Sequence, residues 1–178
     1  LAHRRSAETK TVVDPFCGTG GIAIEAALQG IEVLASDLDP RMVEGTLENL
    51  EWAGTSASVE TCGASDIASL WGNRSNCCFV FDPPYGRSSW KSGDGAELFL
   101  EALSAAHDID PSGSICTMLP TGPDALDSFP EEDVEVLGMP WSELEGKIRG
   151  CGWEPVLSVP IKVHRSLARM VVVCHPLH

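Results

Sequence analysis

The run Cys77–Phe81, "CCFVF", is apolar at every position. A strand covered on one face alternates apolar and polar side chains, so a strand without alternation is covered on both. Strands of that kind belong to parallel sheets, where crossover helices lie against the two faces. The rest of the chain repeats the constraint. Thr11–Val13 reads as a short strand ending at Asp14, Gly20–Gln29 as a helix closed by Gly30, and Ile31–Ser36 as a second strand. Asp39 is an N-cap and Pro40 a first helical residue, so a helix runs to about Ala53 with Val43, Leu47 and Leu50 on one face. Ser58–Cys62 is a third strand, followed by a short helix near Ile67–Trp71. Beyond Phe81 come a helix over Gly95–Ile109, a strand over Ser114–Leu119, an acidic irregular stretch over Thr121–Gly138 and a helix over Trp141–Gly150. Two β-rich runs, Pro155–Val163 and Arg169–Cys174, close the chain as a hairpin. The order is that of an α/β, mostly parallel, doubly wound sheet with a C-terminal antiparallel hairpin.

Between the first strand and its helix lies "DPFCGTGG". Gly18, Gly20 and Gly21 permit a tight turn and close approach of the backbone to a ligand, and the helix aims its first amides at the same place. Gly18 to Ala23 also fits a G-x-G-x-x-A dinucleotide pattern, which alone is weak, because such turns serve many ligands. Asp37 ends the second strand, where an acidic side chain holds ribose hydroxyls. Asp39 is explained by its cap. Asp66 follows the third strand in "CGASD" and has two readings: acceptor for an adenine amino group, or cap of the helix at Ile67. These residues suit an adenosine-bearing molecule, NAD or S-adenosylmethionine. Asp14 at the head of the loop favours the cationic sulfonium, because a carboxylate beside a pyrophosphate is repulsive.

The strand Cys77–Phe81 leaves through "DPPY". In a doubly wound sheet this turn lies beside the glycine loop, outside the strands' C-terminal ends. Pro83 and Pro84 stiffen the backbone and carry no N–H, so their carbonyls are acceptors held in place. Asp82 adds a carboxylate acceptor and Tyr85 a flat face for stacking. Two acceptors aimed at an NH2 group on a planar ring are what methylation of an exocyclic base amine requires, because they stabilise the positive charge that develops on nitrogen. C5-methylation of pyrimidines uses a cysteine nucleophile, and this turn has none.

The net charge of −14 opposes strong nucleic-acid binding by this piece alone and suits a high-salt cytoplasm. Seven cysteines without a C-x-x-C pair read as reduced, buried small hydrophobes in a cytoplasmic protein. Five scattered histidines predict no metal site. No apolar run is long enough to span a membrane. The chain begins at Leu1, which predicts a fragment of something longer.

"DPFCGTGGIAIEAAL", "ASDLDPRMVEGTLENL", "DPPYGRSS" and "VHRSLAR" resemble the catalytic domain of archaeal THUMP-associated tRNA guanine-N2-methyltransferases, of the type that modifies guanosine 10. The resemblance runs from Thr11 to Cys174. It implies a Rossmann-like class I methyltransferase fold, one catalytic domain over residues 1–178, S-adenosylmethionine as donor, and tRNA gripped mainly by an N-terminal THUMP-type region. It implies that Asp14, Gly18, Gly20, Asp37 and Asp66 line the donor site while Asp82 and Tyr85 hold the guanine. With their neighbours, the cofactor-binding candidates are Asp14, Phe16, Cys17, Gly18, Thr19, Gly20, Asp37, Leu38, Ser65 and Asp66. The catalytic candidates are Asp82, Pro83, Pro84 and Tyr85. Arg87, Lys91, Arg165 and Arg169 are candidate phosphate contacts beside the pocket. Three rival readings remain: adenine-N6 methylation on DNA or RNA, a non-catalytic RNA-binding module, and an NAD-dependent oxidoreductase.

Overall fold

A computed structural model describes residues 11–84, 94–165 and 167–177. Strand β1 (Thr11–Asp14) leads through a glycine turn into helix α1 (Gly21–Leu28). Strand β2 (Glu32–Asp37), helix α2 (Pro40–Trp52), strand β3 (Ser58–Thr61) and helix α3 (Ile67–Trp71) follow. Strand β4 (Cys77–Phe81), helix α4 (Asp94–Ile109) and strand β5 (Ser114–Thr121) complete the alternating part. A short helix α5 (Ala125–Ser128) and a small hairpin, β6 (Glu135–Val136) and β7 (Met139–Pro140), precede helix α6 (Trp141–Gly150). Two long strands, β8 (Trp153–His164) and β9 (Leu167–Pro176), end the chain.

The parallel strands lie in the order β3-β2-β1-β4-β5. The chain winds outward from β1 to β3, then returns to the other side of β1 for β4, which makes the β1/β4 gap the switch point where ligands bind. Strand β9 runs antiparallel to β5, with Thr117 opposite Val172, and β8 runs antiparallel to β9. The hairpin therefore reverses one strand and leaves β8 pointing the same way as β5.

Alternate side chains of one strand enter opposite layers of the core. Val12 packs with Ala23, Ala26, Val33 and Leu50 beneath α1 and α2, whereas Val13 packs with Phe79, Phe81, Phe99 and Trp153 on the other side. This double coverage is why β1 and β4 carry no polar alternation. Trp153 is fully buried, donates from Nε1 to the Leu103 carbonyl at 2.9 Å, and meets Phe79 edge-on at 6.2 Å. Burying an indole of this size contributes about 4 kcal/mol and seats β8 against α4. Asp110, just after α4, accepts from the backbone N–H of Cys77 (2.9 Å) and from both Ser112 N–H (3.0 Å) and Ser112 Oγ (2.7 Å). It thereby sets where β4 begins and so where it ends, at Phe81.

The stretch expected to be irregular contains α5, strand β6 and the turn that leads into β7. Its turn residues, Leu137 (φ 55°) and Gly138 (φ 79°), are both left-handed, the backbone of a two-residue hairpin. That turn favours Asn-Gly, and leucine at its first position hides it from a sequence reading. Strand β5 is longer than expected for the same reason, since Thr121 pairs with Val136 of this hairpin. All seven cysteines are free, with Cys17, Cys77, Cys78 and Cys174 buried and the rest partly so. Burial pushes the thiols of Cys77 and Cys174 up to about 12. Among the described residues no helix is long and apolar enough to cross a membrane.

Candidate functional site

The loop between β1 and α1 is held from three sides. Cys17 N–H donates to the Ser36 carbonyl on β2 at 2.9 Å, and Gly20 N–H donates back to the Cys17 carbonyl at 2.8 Å. Asp37 binds both flanks of the opening: Oδ2 accepts from Gly18 N–H (3.0 Å) and Oδ1 from Asp39 N–H (2.9 Å). Helix α2 clamps the loop from outside, Thr46 Oγ1 donating to the Gly18 carbonyl (2.8 Å) and Asn49 Nδ2 to the Thr19 carbonyl (2.9 Å). Gly20 has φ +91°, and a Cβ there would stand 2.9 Å from Thr46 Cγ2. This turn therefore demands glycine twice over, for its left-handed backbone and for the close approach of α2.

The loop opens onto a cleft of about 540 Å³. Gly18, Asp37, Leu38 and Asp66 line one part of it, and Asp82 and Pro84 line another. The tertiary fold thus brings the three sequence-distant motifs into one cavity, with apolar wall from Phe16, Met42 and Leu98. Phe16 contacts Phe81 at 5.6 Å between ring centroids, and Phe81 contacts Phe99 at 6.2 Å. These rings tie the glycine loop to the strand end that carries Asp82.

Not every candidate reaches the cleft. Asp14 is 1% exposed and lies behind the loop, its Oδ1 accepting from Phe16 N–H at 3.1 Å. Burial pushes its carboxyl up to about 7, against the Phe16 hydrogen bond and with help from the charges of Asp37 and Asp82. Cys17 is buried against Thr46, with Sγ 3.6 Å from Oγ1. Gly20 is buried under Thr46, and Thr19 is exposed on the α2 side. Pro83 is buried, whereas Pro84 is exposed in the cleft. Asp66 occupies the position before α3 but makes no side-chain cap bond, so capping does not account for it. Ser65 Oγ donates to its Oδ2 at 3.4 Å. Asp39 does cap, accepting from Arg41 N–H at 2.9 Å. Tyr85, Arg87 and Lys91 lie outside the described residues.

Sequence reading missed Met42, Gly63, Ala64 and Leu98 in the lining, and Thr46 and Asn49 in the clamp. A polar Thr46 on the buried stripe of α2 was the available signal for the clamp, since a buried hydroxyl needs a partner. Leu98 comes from α4 and had no local signal.

The described lining carries Asp37, Asp66 and Asp82 and no Lys or Arg. These three carboxylates disfavour a pyrophosphate and favour a cation such as a sulfonium. Apolar walls and the carboxylates of Asp37, Asp66 and Asp82 fit the charge and shape of S-adenosylmethionine.

Residues 3–148 match the family described as UPF0020, RMKL-like, methyltransferase domain. The chain belongs to this methyltransferase family. Among curated proteins, this RMKL-like domain is 44% identical over 112 residues to a tRNA (guanine(10)-N2)-dimethyltransferase of Methanothermobacter thermautotrophicus, covering 61% of the chain and 32% of that protein. It is 35% identical over 131 residues to the protein of the same name from Pyrococcus abyssi, covering 73% of the chain and 40% of the relative. The domain thus spans well under half the length of these two relatives. Among solved structures, TrmN from Thermus thermophilus superposes with a TM-score of 0.69 at 18% identity, covering 99% of this chain and 47% of that one. A SAM-dependent methyltransferase from Methanosarcina mazei gives 0.74 at 13%, covering 98% and 96%. At those identities the likeness shows the fold, a Rossmann-like methyltransferase sheet.

Proposed function

We propose that this domain methylates the exocyclic N2 amine of a guanine in tRNA, with S-adenosylmethionine as donor. The observation that carries the reading is the shared cavity: the Asp82–Pro84 turn opens into the same cleft as Gly18, Asp37 and Asp66. The bound donor supplies an electrophilic methyl group. Asp37 offers its remaining lone pairs to ribose hydroxyls, and Asp66 accepts from the adenine amino group. On the other side, Asp82 and the carbonyls of the proline turn accept the two N–H bonds of the guanine amine, and Tyr85 stacks on the base. Those acceptors hold the nitrogen against the methyl and stabilise its developing charge. As the N–C bond forms and the C–S bond breaks, the amine proton leaves to Asp82 or to water.

The names of the relatives support guanosine 10 as the target and the addition of two methyl groups. Their greater length supports a division in which residues 1–178 form the catalytic domain and a separate N-terminal THUMP-type region supplies most of the RNA grip. The test is labelled methyl transfer to unmodified tRNA followed by nucleoside digestion. N2-methylguanosine or its dimethyl form is expected. N6-methyladenosine as the product would replace the guanine reading, and donor binding with no RNA methylation even when the N-terminal region is present would favour a non-catalytic module.

A further inference from the structure

The charge of this chain is unevenly placed. Of its 26 acidic residues none lies after Glu154, and the C-terminal stretch Pro155–His178 carries Lys162, Arg165 and Arg169. The described cations elsewhere are engaged: Arg41 with Asp39, Arg74 with Glu32, Lys147 with Glu143, and Arg149 with Glu145 and Glu154. Lys162 and Arg165 are exposed and make no ion pair among the described residues.

Both sit at the tip of the β8–β9 hairpin. Because β8 runs with β5, this tip lies at the C-terminal end of the sheet, the end that holds the cleft. The ladder also extends past β4. Phe81, the last residue of β4, is level with Thr117, but β5 continues to Thr121, which pairs with Ala168, which in turn pairs with Lys162. At about 3.3 Å per residue, the tip stands about 13 Å beyond the end of β4, and three strand spacings carry it about 14 Å sideways. Lys162 is therefore about 20 Å from the end of β4 by these spacings. That is too far to touch the base held at Asp82, and near enough to meet a phosphate of the same strand. The opposite flank of the β5 extension carries the β6–β7 hairpin, with Glu135 and the acidic residues Glu131, Glu132 and Asp133 just before it. An RNA strand entering the cleft is repelled on that side and attracted on the other.

We infer that the β8–β9 tip, through Lys162 and Arg165, binds backbone phosphates flanking the target nucleotide and so sets the side from which the RNA strand enters the cleft. This rests on the RNA substrate proposed above. The domain then contributes its own grip despite its net charge of −14.

The test uses the full chain, with tRNA as probe, and the paired variant Lys162→Gln/Arg165→Gln. KM for tRNA is expected to rise about tenfold, and the slope of log affinity against log salt to shrink by about 0.7–0.9 for each lost contact. Donor affinity, titrated separately, stays as in the wild type. The charge-preserving pair Lys162→Arg/Arg165→Lys restores both KM and slope. Lys147→Gln, which removes a cation from α6, leaves KM for tRNA unaltered. A wild-type chain that methylates tRNA while the paired Gln variant keeps its KM and salt slope overturns the hairpin assignment alone. A wild-type protein carrying the N-terminal region as well that binds the donor but neither binds nor methylates tRNA sinks the substrate reading, and the assignment falls with it.

Discussion

Gly20→Ala tests the architecture of the donor loop. Gly20 has φ +91°, and an added Cβ stands 2.9 Å from Thr46 Cγ2, 3.2 Å from Oγ1 and 3.3 Å from Cβ. A left-handed alanine costs about 1 kcal/mol relative to glycine. Forcing a methyl into a closed contact costs about 1–3 kcal/mol, because Thr46 is fully buried and has no room to retreat. Moving Thr46 also stretches its bond to the Gly18 carbonyl, worth about 1 kcal/mol. The total is about 3–5 kcal/mol, a large part of a domain's stability of about 5–15 kcal/mol. Urea unfolding reads it as a lower midpoint at unchanged slope. Thr46→Ser removes Cγ2, the closest atom, and keeps the hydroxyl. In the Gly20→Ala background it should recover about 1 kcal/mol and leave the backbone cost in place, so the double-mutant cycle shows coupling. A cycle additive to within about 0.3 kcal/mol would refute the steric account. A cost for Gly20→Ala below about 1 kcal/mol would refute the backbone account as well.

Asp82→Asn should keep donor binding and lose turnover by about 10²–10³-fold, because the amide accepts more weakly and takes no proton; single-turnover methyl transfer at saturating donor reads it. Asp14 couples stability to pH. Its carboxyl is raised from 3.8 to about 7 in the folded state, so the fold retains the Asp14 proton more tightly than the unfolded chain does. Its ionisation penalty is absent below about pH 4, grows as pH rises, and levels off above about pH 7, at an order of 4 kcal/mol. Asp14→Asn, which still accepts from Phe16 N–H, should gain stability over wild type across that window, and a gain that does not vary between the two pH values refutes the burial argument. Asp110→Ala leaves the N–H groups of Cys77 and Ser112 without their acceptor and should cost about 2–4 kcal/mol in the same unfolding assay, with an undiminished midpoint as the refuting result.

Most of the element order was legible because it rests on local patterns. The bare apolar run at Cys77–Phe81, the Asp39–Pro40 helix start and the glycines at 18 and 20 each carry their meaning within a few residues. The β6–β7 hairpin was not legible, because its turn uses Leu137 in a conformation that leucine rarely adopts. Asp66 illustrates a different limit. Sequence left it between a cap and a ligand contact, and the observed backbone removes the cap without itself supplying the ligand.

By itself the sequence determined the parallel sheet, the glycine turn after β1, the stiff acceptor turn after β4, and the chemistry those residue types can perform. These follow from periodicity, backbone restriction and donor–acceptor inventory, which travel with the residues. Only the tertiary structure decided that Asp82 and Pro84 share a cavity with Asp37 and Asp66, that Asp14 lies buried behind the cleft instead of lining it, and that Thr46 and Asn49 hold the loop. It also decided how far the β8–β9 tip extends past the end of β4. Those relations depend on strand order, register and close packing between segments far apart in the chain, and no local pattern encodes a distance across a sheet.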